Sequence, residues 1–322
     1  GLEMGKAWTA WWLAFMVGGV LTAPILMKAD APIVGAIRWD AWNGHGGGDL
    51  ISSHVMRTLS PQQFHDRVPF YGMVVAPDNV SVDANQQAVM DMELQFAAAA
   101  GLRYFAYDTY CVWPADANLS QCAGYWGGPT PTSVDYKPSD PAYGLKLHLA
   151  SEFAHLMNFT LLLLGASPAT PMMRARYLPL LGHSSYQRVC GTPGCVNADR
   201  PLVFLFQASD NEAEMNGGWD AWRLQWEAFR NESLAQGSGN PYFVALDLTF
   251  DRAHTLQTNL GFDAVSAYAL PTGTTLAGTP FSEQKQQAQS FWDAAKAAGV
   301  PVVPPVPTGW DPRPRAVTPP PW

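Results

Sequence analysis

The chain has 322 residues, enough to bury a large hydrophobic core. Its residues are 48% hydrophobic and only 14% charged, which argues against an intrinsically disordered protein. The net charge of −8 argues against a nucleic-acid-binding protein, because such a protein needs a basic surface. The 13 tryptophans favour carbohydrate binding, since indole rings stack on sugars, although burial in the core explains any one of them equally well.

The N-terminal segment is apolar from residue 7 to residue 27 and follows Lys6. This pattern is typical of a secretory signal peptide, but its length also suits a single membrane-spanning anchor. A helix that plugs the core of the folded domain is a third interpretation. We therefore assign residues 1–31 to a signal peptide or membrane anchor and residues 32–322 to one folded domain. We expect the protein to be secreted or held at the extracellular surface.

A short apolar run followed by a helix-like segment occurs seven times along residues 32–322. Repeated strand–helix units predict a parallel sheet that is buried on both faces. Seven units predict an α/β protein with a (β/α)8 TIM-barrel fold whose last βα unit is missing from this chain, so that the domain is truncated at its C-terminus. The predicted strands are residues 33–42, 102–110, 159–165, 201–207, 242–248, 263–270 and 300–307.

The four cysteines form two close pairs, Cys111 with Cys122 and Cys190 with Cys195. Local pairs in loop-like sequence are typical of disulfides in an oxidising compartment, although reduced structural cysteines are an alternative. Neither pair has the spacing of a zinc site. Four Asn-x-Ser/Thr sequons also favour a secreted glycoprotein. The sequons begin at Asn79, Asn118, Asn158 and Asn231.

Polar and aromatic residues cluster where the predicted strands end, which is where parallel α/β sheets place their active sites. Asp108 stands among aromatic residues, so desolvation should favour the protonated form that a general acid needs; an ordinary hydrogen-bonded aspartate is the alternative. Asp40 is the second catalytic candidate, either as a sugar contact beside Arg38 or as a buried ion pair with it. The candidate substrate-binding residues are Arg38, Trp39, Trp42, Tyr107, Tyr110, Gln207, Asp247, Tyr268, Trp310, Asp311 and Arg313.

Other motifs in the sequence give weaker signals. Ser184 lies in a segment that begins like the nucleophile elbow of an esterase, but Tyr186 replaces the second glycine of that motif. His148, Glu152 and His155 have helical spacing, and we interpret them as a solvated helix face rather than a metal site. No dinucleotide-binding or P-loop motif follows a predicted strand, so we expect neither a metal nor a cofactor.

Four segments of the chain resemble one group of enzymes, the WbsX-like and endo-α-mannosidase-like glycoside hydrolases. These segments are residues 34–42, 101–107, 200–204 and 308–315, and the turn Gly309-Trp310-Asp311 followed by Arg315 is the most specific. The resemblance implies a (β/α)8 barrel that acts on glycans. Such proteins typically carry their catalytic carboxylates in an Asn-Glu-Trp-x-Glu-Gly-like segment on the final strand, which this sequence lacks. Either that segment follows residue 322, or the protein binds glycans without cleaving them.

These observations predict a glycoside hydrolase that cleaves O-glycosyl bonds of a polysaccharide or glycan. A non-catalytic carbohydrate-binding barrel is the alternative, and a serine esterase is the third hypothesis. The expected partner is a glycan. We expect no nucleic-acid partner, and membrane attachment only through residues 7–27.

Overall fold

The chain folds around one sheet of six parallel strands, as seen in a computed structural model that describes residues 32–40, 50–109, 143–164, 169, 171–190, 198–206, 208–270, 278–309, 311 and 313–317. The spatial order of the parallel strands is β1-β4-β5-β7-β8-β9. A short strand, β6, adds to β7 in antiparallel orientation, and β2 and β3 form a separate hairpin. The strands are β1 Gly35–Arg38, β2 Gly72–Ala76, β3 Asn79–Val82, β4 Tyr104–Thr109, β5 Asn158–Leu164, β6 Arg188–Val189, β7 Arg200–Phe206, β8 Tyr242–Asp247 and β9 Ala264–Ala267.

Helices connect most of the parallel strands, as the alternating sequence pattern predicts. Two short 3-10 helices, Gln62–Arg67 and Ala154–Leu156, lie in the connections. The α-helices are α1 Leu50–Leu59, α2 Gln87–Ala99, α3 Tyr143–Ala150, α4 Pro171–Leu181, α5 Asp210–Met215, α6 Trp219–Ala235, α7 Phe250–Leu260, α8 Phe281–Ala297 and α9 Arg313–Val317.

The ends of helix α7 show how local sequence sets these elements. The Thr249 side chain accepts a hydrogen bond from the backbone N–H of Arg252 and so caps the first turn. Gly261 ends the helix in the left-handed conformation, at a φ of 67° that most other residues avoid. Strand β9 follows after two residues, so this unit matches its sequence signals closely.

The six parallel strands have apolar side chains on both faces, because the sheet is curled and covered by helices. On the convex face, Phe105 and Leu161 belong to a large cluster that also contains Trp222 and Trp226 of α6. On the concave face, side chains of neighbouring strands pack mainly against one another, as Tyr104, Leu162, Phe204 and Val244 do. Alternation along each strand decides which side chains take which face.

The predicted closed eight-stranded barrel is wrong. Among the described residues, β1 pairs only with β4, and the sheet is a curled half-barrel of six parallel strands rather than a ring. The predicted seventh strand, residues 300–307, makes one isolated parallel bridge, between Val265 and Val302. Pro304, Pro305 and Pro307 follow this bridge, and proline has no N–H to donate to a neighbouring strand.

Residues 50–82, between the first two parallel strands, carry regular structure of their own. Helix α1 packs on hairpin strand β3, where Val80 and Val82 are buried against Val55 and Leu59. The outer hairpin strand β2 exposes Met73, together with its neighbours 74 and 75, to solvent. This small unit lies next to the open edge of the sheet at β1, because Trp39 packs against the same cluster.

Two predictions about the termini and the cysteines lie largely outside the described residues. Residues 1–31 are not described, and within the described part of the chain no helix has the length and apolarity to cross a membrane. Cys190 is disulfide-bonded. Cys195, its predicted partner, lies outside the described residues with Cys111 and Cys122, so both pairings stay predictions.

Candidate functional site

Asp108 lies at the carboxyl end of β4 and points to the concave face of the sheet. Alternation places it on the same face as Tyr104 and Ala106, and it is fully buried. The hydroxyl of Tyr268 donates a hydrogen bond to Oδ2 of Asp108 over 3.2 Å. Tyr268 follows β9, at the opposite side of the sheet, so the curl of the sheet joins two residues that are 160 positions apart.

Aromatic and cationic groups surround this pair. The ring of Tyr268 stacks on Phe206 at the end of β7, with ring centroids 4.1 Å apart and an angle of 6° between the planes. The guanidinium of Arg315 lies 6.0 Å from the ring of Trp39 and within electrostatic reach of the Tyr268 hydroxyl. Burial lowers the pKa of Arg315. The ends of β1, β4, β7 and β9 therefore contribute to one polar and aromatic region.

A cavity of about 390 Å³ opens beside β1, at the edge of the sheet. The Arg38 side chain lines it, with Nε 2.6 Å from Oδ1 of Asp40 and Nη1 2.7 Å from Oε2 of Glu93. The cavity is lined by Ile37, Arg38, Trp39, Asp40, Phe70, Tyr71, Glu93, Phe96 and Phe105.

The ionisation of this cluster follows from its burial and its charge count. Burial raises the pKa of Asp40 despite the neighbouring Arg38 guanidinium, and the negative charge of Glu93 adds to the rise. Burial acts to lower the pKa of Arg38, but the carboxylates of Asp40 and Glu93 more than offset it, so that pKa is raised. Arg38 thus stays charged, and burial favours the protonated form of Asp40.

The two catalytic candidates, Asp40 and Asp108, lie on opposite faces of the sheet. Arg38 packs over Phe105 and Tyr107, whose rings belong to the convex face, and Asp40 stays with Arg38. Trp39 takes the other side and contacts Arg315, as alternation predicts. The structure therefore does not bring Asp40 and Asp108 to the same side of one substrate.

Two further candidates, Tyr107 and Asp247, also point to the convex face. Tyr107 is fully buried, and its hydroxyl lies 2.9 Å from Nδ1 of His148. Asp247 accepts a hydrogen bond from the backbone N–H of Leu248 and pairs with Arg252 at 3.1 Å. Each side chain therefore links the end of its strand to a helix: Tyr107 links β4 to α3, and Asp247 links β8 to α7.

Asp311 and Arg313 form a surface cluster with Arg67. Arg67 and Arg313 each place a guanidinium nitrogen 2.6 Å from Oδ2 of Asp311. The hydrogen bonds from Arg313 lower the pKa of Asp311 to about 2. Arg67 and Arg313 also line a separate cavity of about 370 Å³. This arrangement is an ion-paired turn, and exposed pairs of this kind contribute little to stability.

Four of the predicted substrate-binding residues cannot be placed in the site. They lie outside the described residues, and their roles stay predictions. They are Trp42, Tyr110, Gln207 and Trp310.

The weaker motifs can be assigned to positions in the fold. Ser184 lies in an exposed turn after α4, at the amino end of the sheet, whereas a nucleophile elbow joins a strand to a helix. The expectation of a solvated face for His148 is wrong, because this residue is fully buried. Among the described residues, no group of three or more metal-ligating side chains is close enough to hold a metal ion.

The sequence interpretation missed Glu93, which completes the cluster around Arg38. A signal was present, since Glu93 stands in the apolar stripe of α2 with Met90, Leu94 and Ala97, and a carboxylate in such a stripe needs a buried partner. Arg315, in the C-terminal turn, is a further residue of this region that is not among the predicted site residues. Arg315 and Trp39 are 276 residues apart in the sequence, so no local sequence pattern predicts their contact.

Comparison with known proteins adds no family to this description. No protein-family model matches the sequence, and no curated protein matches it either.

Proposed function

We propose that this protein acts on a glycan at the carboxyl end of the concave face, as a glycoside hydrolase in which Asp108 is the acid. The observation that carries the proposal is the hydrogen bond from Tyr268 to the buried carboxyl group of Asp108. In parallel α/β sheets, ligands bind beyond the carboxyl ends of the strands, which is where this pair lies. The resemblance of residues 34–42 and 308–315 to glycoside hydrolases supports the same substrate class.

The chemistry of glycoside cleavage fits the environment of Asp108. A general acid must be protonated when the substrate binds and must give its proton to the departing sugar oxygen. Asp108 is fully buried, and the Tyr268 hydroxyl, which donates to Oδ2, fixes the orientation of the carboxyl group. Phe206 holds the Tyr268 ring by stacking, so residues at the ends of two other strands, β7 and β9, position the acid.

A second candidate function, glycan binding without cleavage, is favoured by a specific observation. Glycoside hydrolysis uses two carboxylates that flank the scissile bond. Among the described residues, Asp108 is the one carboxylate at the carboxyl ends of the strands on the concave face, since Asp40 and Asp247 belong to the convex side. A hydrolase therefore needs a second carboxylate from residues outside the described part.

The experiment combines a glycan array with an assay for released reducing sugar, and it compares the wild type with Asp108→Asn. A hydrolase loses about 100-fold or more of its turnover with this substitution and keeps its fold by circular dichroism. The matched control is Asp293→Asn, an exposed aspartate of α8, which should leave turnover unchanged. Glycan binding without sugar release would favour the second candidate, and the absence of any glycan binding would overturn both.

A further inference from the structure

The cavity beside β1 has an uneven charge balance. The guanidinium of Arg38 forms ion pairs with two carboxylates, those of Asp40 and Glu93. When both carboxylates are ionised, the cluster carries one unit of negative charge without a partner inside it. A cation bound beside the carboxylates would balance this charge.

Aromatic rings form the rest of the cavity wall. Phe70 stands edge-on to Phe96 and to Tyr71, with ring centroids 5.6 and 5.0 Å apart. Phe70 and Phe96 are 55% and 60% exposed, which is unusual for phenylalanine and leaves their rings accessible to a ligand. Ring faces attract cations and also stack on the apolar faces of sugars.

Glu93 is the accessible acid of the cluster. Its side chain is 19% exposed, whereas that of Asp40 is 6% exposed. A ligand that enters the cavity therefore meets the Glu93 carboxylate beside the rings of Phe70 and Phe96. An ammonium group can donate hydrogen bonds to the carboxylate and contact the rings at the same time.

We infer that the cavity beside β1 binds the primary ammonium group of an amino-bearing sugar, with Glu93 as the charged contact and the rings of Phe70 and Phe96 as the stacking surface. The volume of about 390 Å³ is within the range of small-molecule sites. The inference rests on the proposed function only in taking the ligand to be a sugar. The preference for a cation follows from the accessible Glu93 carboxylate and from the exposed rings of Phe70 and Phe96 beside it.

The test measures the affinity of the whole chain for glucosamine and for glucose by calorimetry at pH 6. The two probes differ at one position, where glucosamine carries an ammonium group and glucose a hydroxyl group. We expect glucosamine to bind at least 10-fold more tightly than glucose. N-acetylglucosamine, which has no charge on its nitrogen, should bind as weakly as glucose.

Two variants test the named contacts. Glu93→Gln should lower the affinity for glucosamine about 10-fold and leave that for glucose unchanged, whereas Glu283→Gln on the exposed start of α8 should change neither. Phe96→Ala removes an exposed ring, so folding is not at risk, and it should weaken both sugars relative to the control Phe281→Ala.

Equal affinities for glucosamine and glucose would overturn the inference, as would an unchanged glucosamine affinity in folded Glu93→Gln. Tight glucosamine binding by a protein that neither binds nor cleaves any glycan on the array would support the inference and overturn only the proposed function.

Discussion

Tyr107 donates a hydrogen bond from its hydroxyl to Nδ1 of His148, 2.9 Å away in the layer between the sheet and α3. The other ring nitrogen, Nε2, lies 3.1 Å from the carbonyl oxygen of Met157, so Nε2 carries the proton and Nδ1 accepts. His148 is therefore held neutral, and burial lowers its pKa to about 4.

This arrangement predicts a loss of stability in mild acid. The unfolded chain takes up a proton on His148 near pH 6.5, but the folded protein resists it until about pH 4. The folded state binds fewer protons in this window, so its free energy of unfolding falls as the pH drops from 6.5 towards 4. We expect His148 to account for a loss of about 2.5 kcal/mol at pH 4.5.

Urea unfolding at pH 7.5 and pH 4.5 measures this effect, with His148→Gln as the variant that cannot titrate. The difference in unfolding free energy between the two pH values should be smaller in His148→Gln by about 2.5 kcal/mol. An equal pH dependence in both proteins would show that His148 is not the responsible group.

Asp263 should be among the most important charged residues for stability. Its carboxylate lies 2.8 Å from nitrogens of Arg200 and Arg230 and accepts a hydrogen bond from the backbone N–H of Phe243. Asp263→Ala leaves two largely buried guanidinium groups without their partner, so we expect a loss of about 3 kcal/mol in urea unfolding.

The control for this prediction is the exposed pair Arg223–Glu227, with 3.6 Å between charged atoms. Glu227→Ala should cost less than about 0.5 kcal/mol, because water screens an exposed pair. Similar losses in the two variants would contradict the structural role of Asp263.

Gly144 should not tolerate a larger side chain. A Cβ atom added there would overlap Oδ2 of Asp40, a buried group that Arg38 holds in place. Although alanine favours helix formation, we expect Gly144→Ala to lower the free energy of unfolding by about 2 kcal/mol.

A double-mutant cycle identifies the cause of that loss. In an Asp40→Ala background the steric conflict is removed, so Gly144→Ala should cost about 1 to 2 kcal/mol less than in the wild type. Additive effects of the two substitutions would mean that Gly144 and Asp40 do not meet as described.

The structure also distinguishes between the N-glycosylation sequons. Asn79 is exposed at the first residue of β3. In the other two described sequons the hydroxyl residue is buried, because Thr160 after Asn158 and Ser233 after Asn231 are both 0% exposed. When the protein is expressed through a eukaryotic secretory pathway, we expect a glycan on Asn79 and none on the other two asparagines.

Site-resolved mass spectrometry before and after treatment with a peptide-N-glycosidase tests this expectation, and Asn79→Gln is the matched control. A glycan on Asn158 or Asn231 in folded, secreted protein would contradict the burial of their sequons. An unmodified Asn79 in such protein would contradict its accessibility.

Six of the seven predicted strands form the sheet, because a strand that is covered on both faces must be a short apolar run and such runs are visible in the sequence. The helix ends at Gly101, Gly261 and Gly299 are equally local, since each glycine has a positive φ that ends a helix. The start of the first strand was less visible, since within the described part of that predicted strand, residues 33–40, only Gly35–Arg38 pairs as a strand.

The candidate site was predicted only in part. Strand alternation correctly places Arg38 apart from Trp39, because it depends on the geometry of one strand. The partnership of Asp108 with Tyr268 depends on the curl of the whole sheet, and the partnership of Arg38 with Glu93 depends on where α2 packs. Neither of these two contacts can be predicted from a short window of sequence.

By itself, the sequence determined that this protein is an α/β protein with a buried parallel sheet, and it named most residues at the strand ends. Only the tertiary structure decided that the sheet is an open half-barrel and that Asp40 and Asp108 lie on opposite faces of it. The physical reason is that hydrophobic periodicity reports whether a side chain is buried, which is a local property. Closure of a sheet and the meeting of distant side chains depend on strand pairing and packing between residues far apart in the chain.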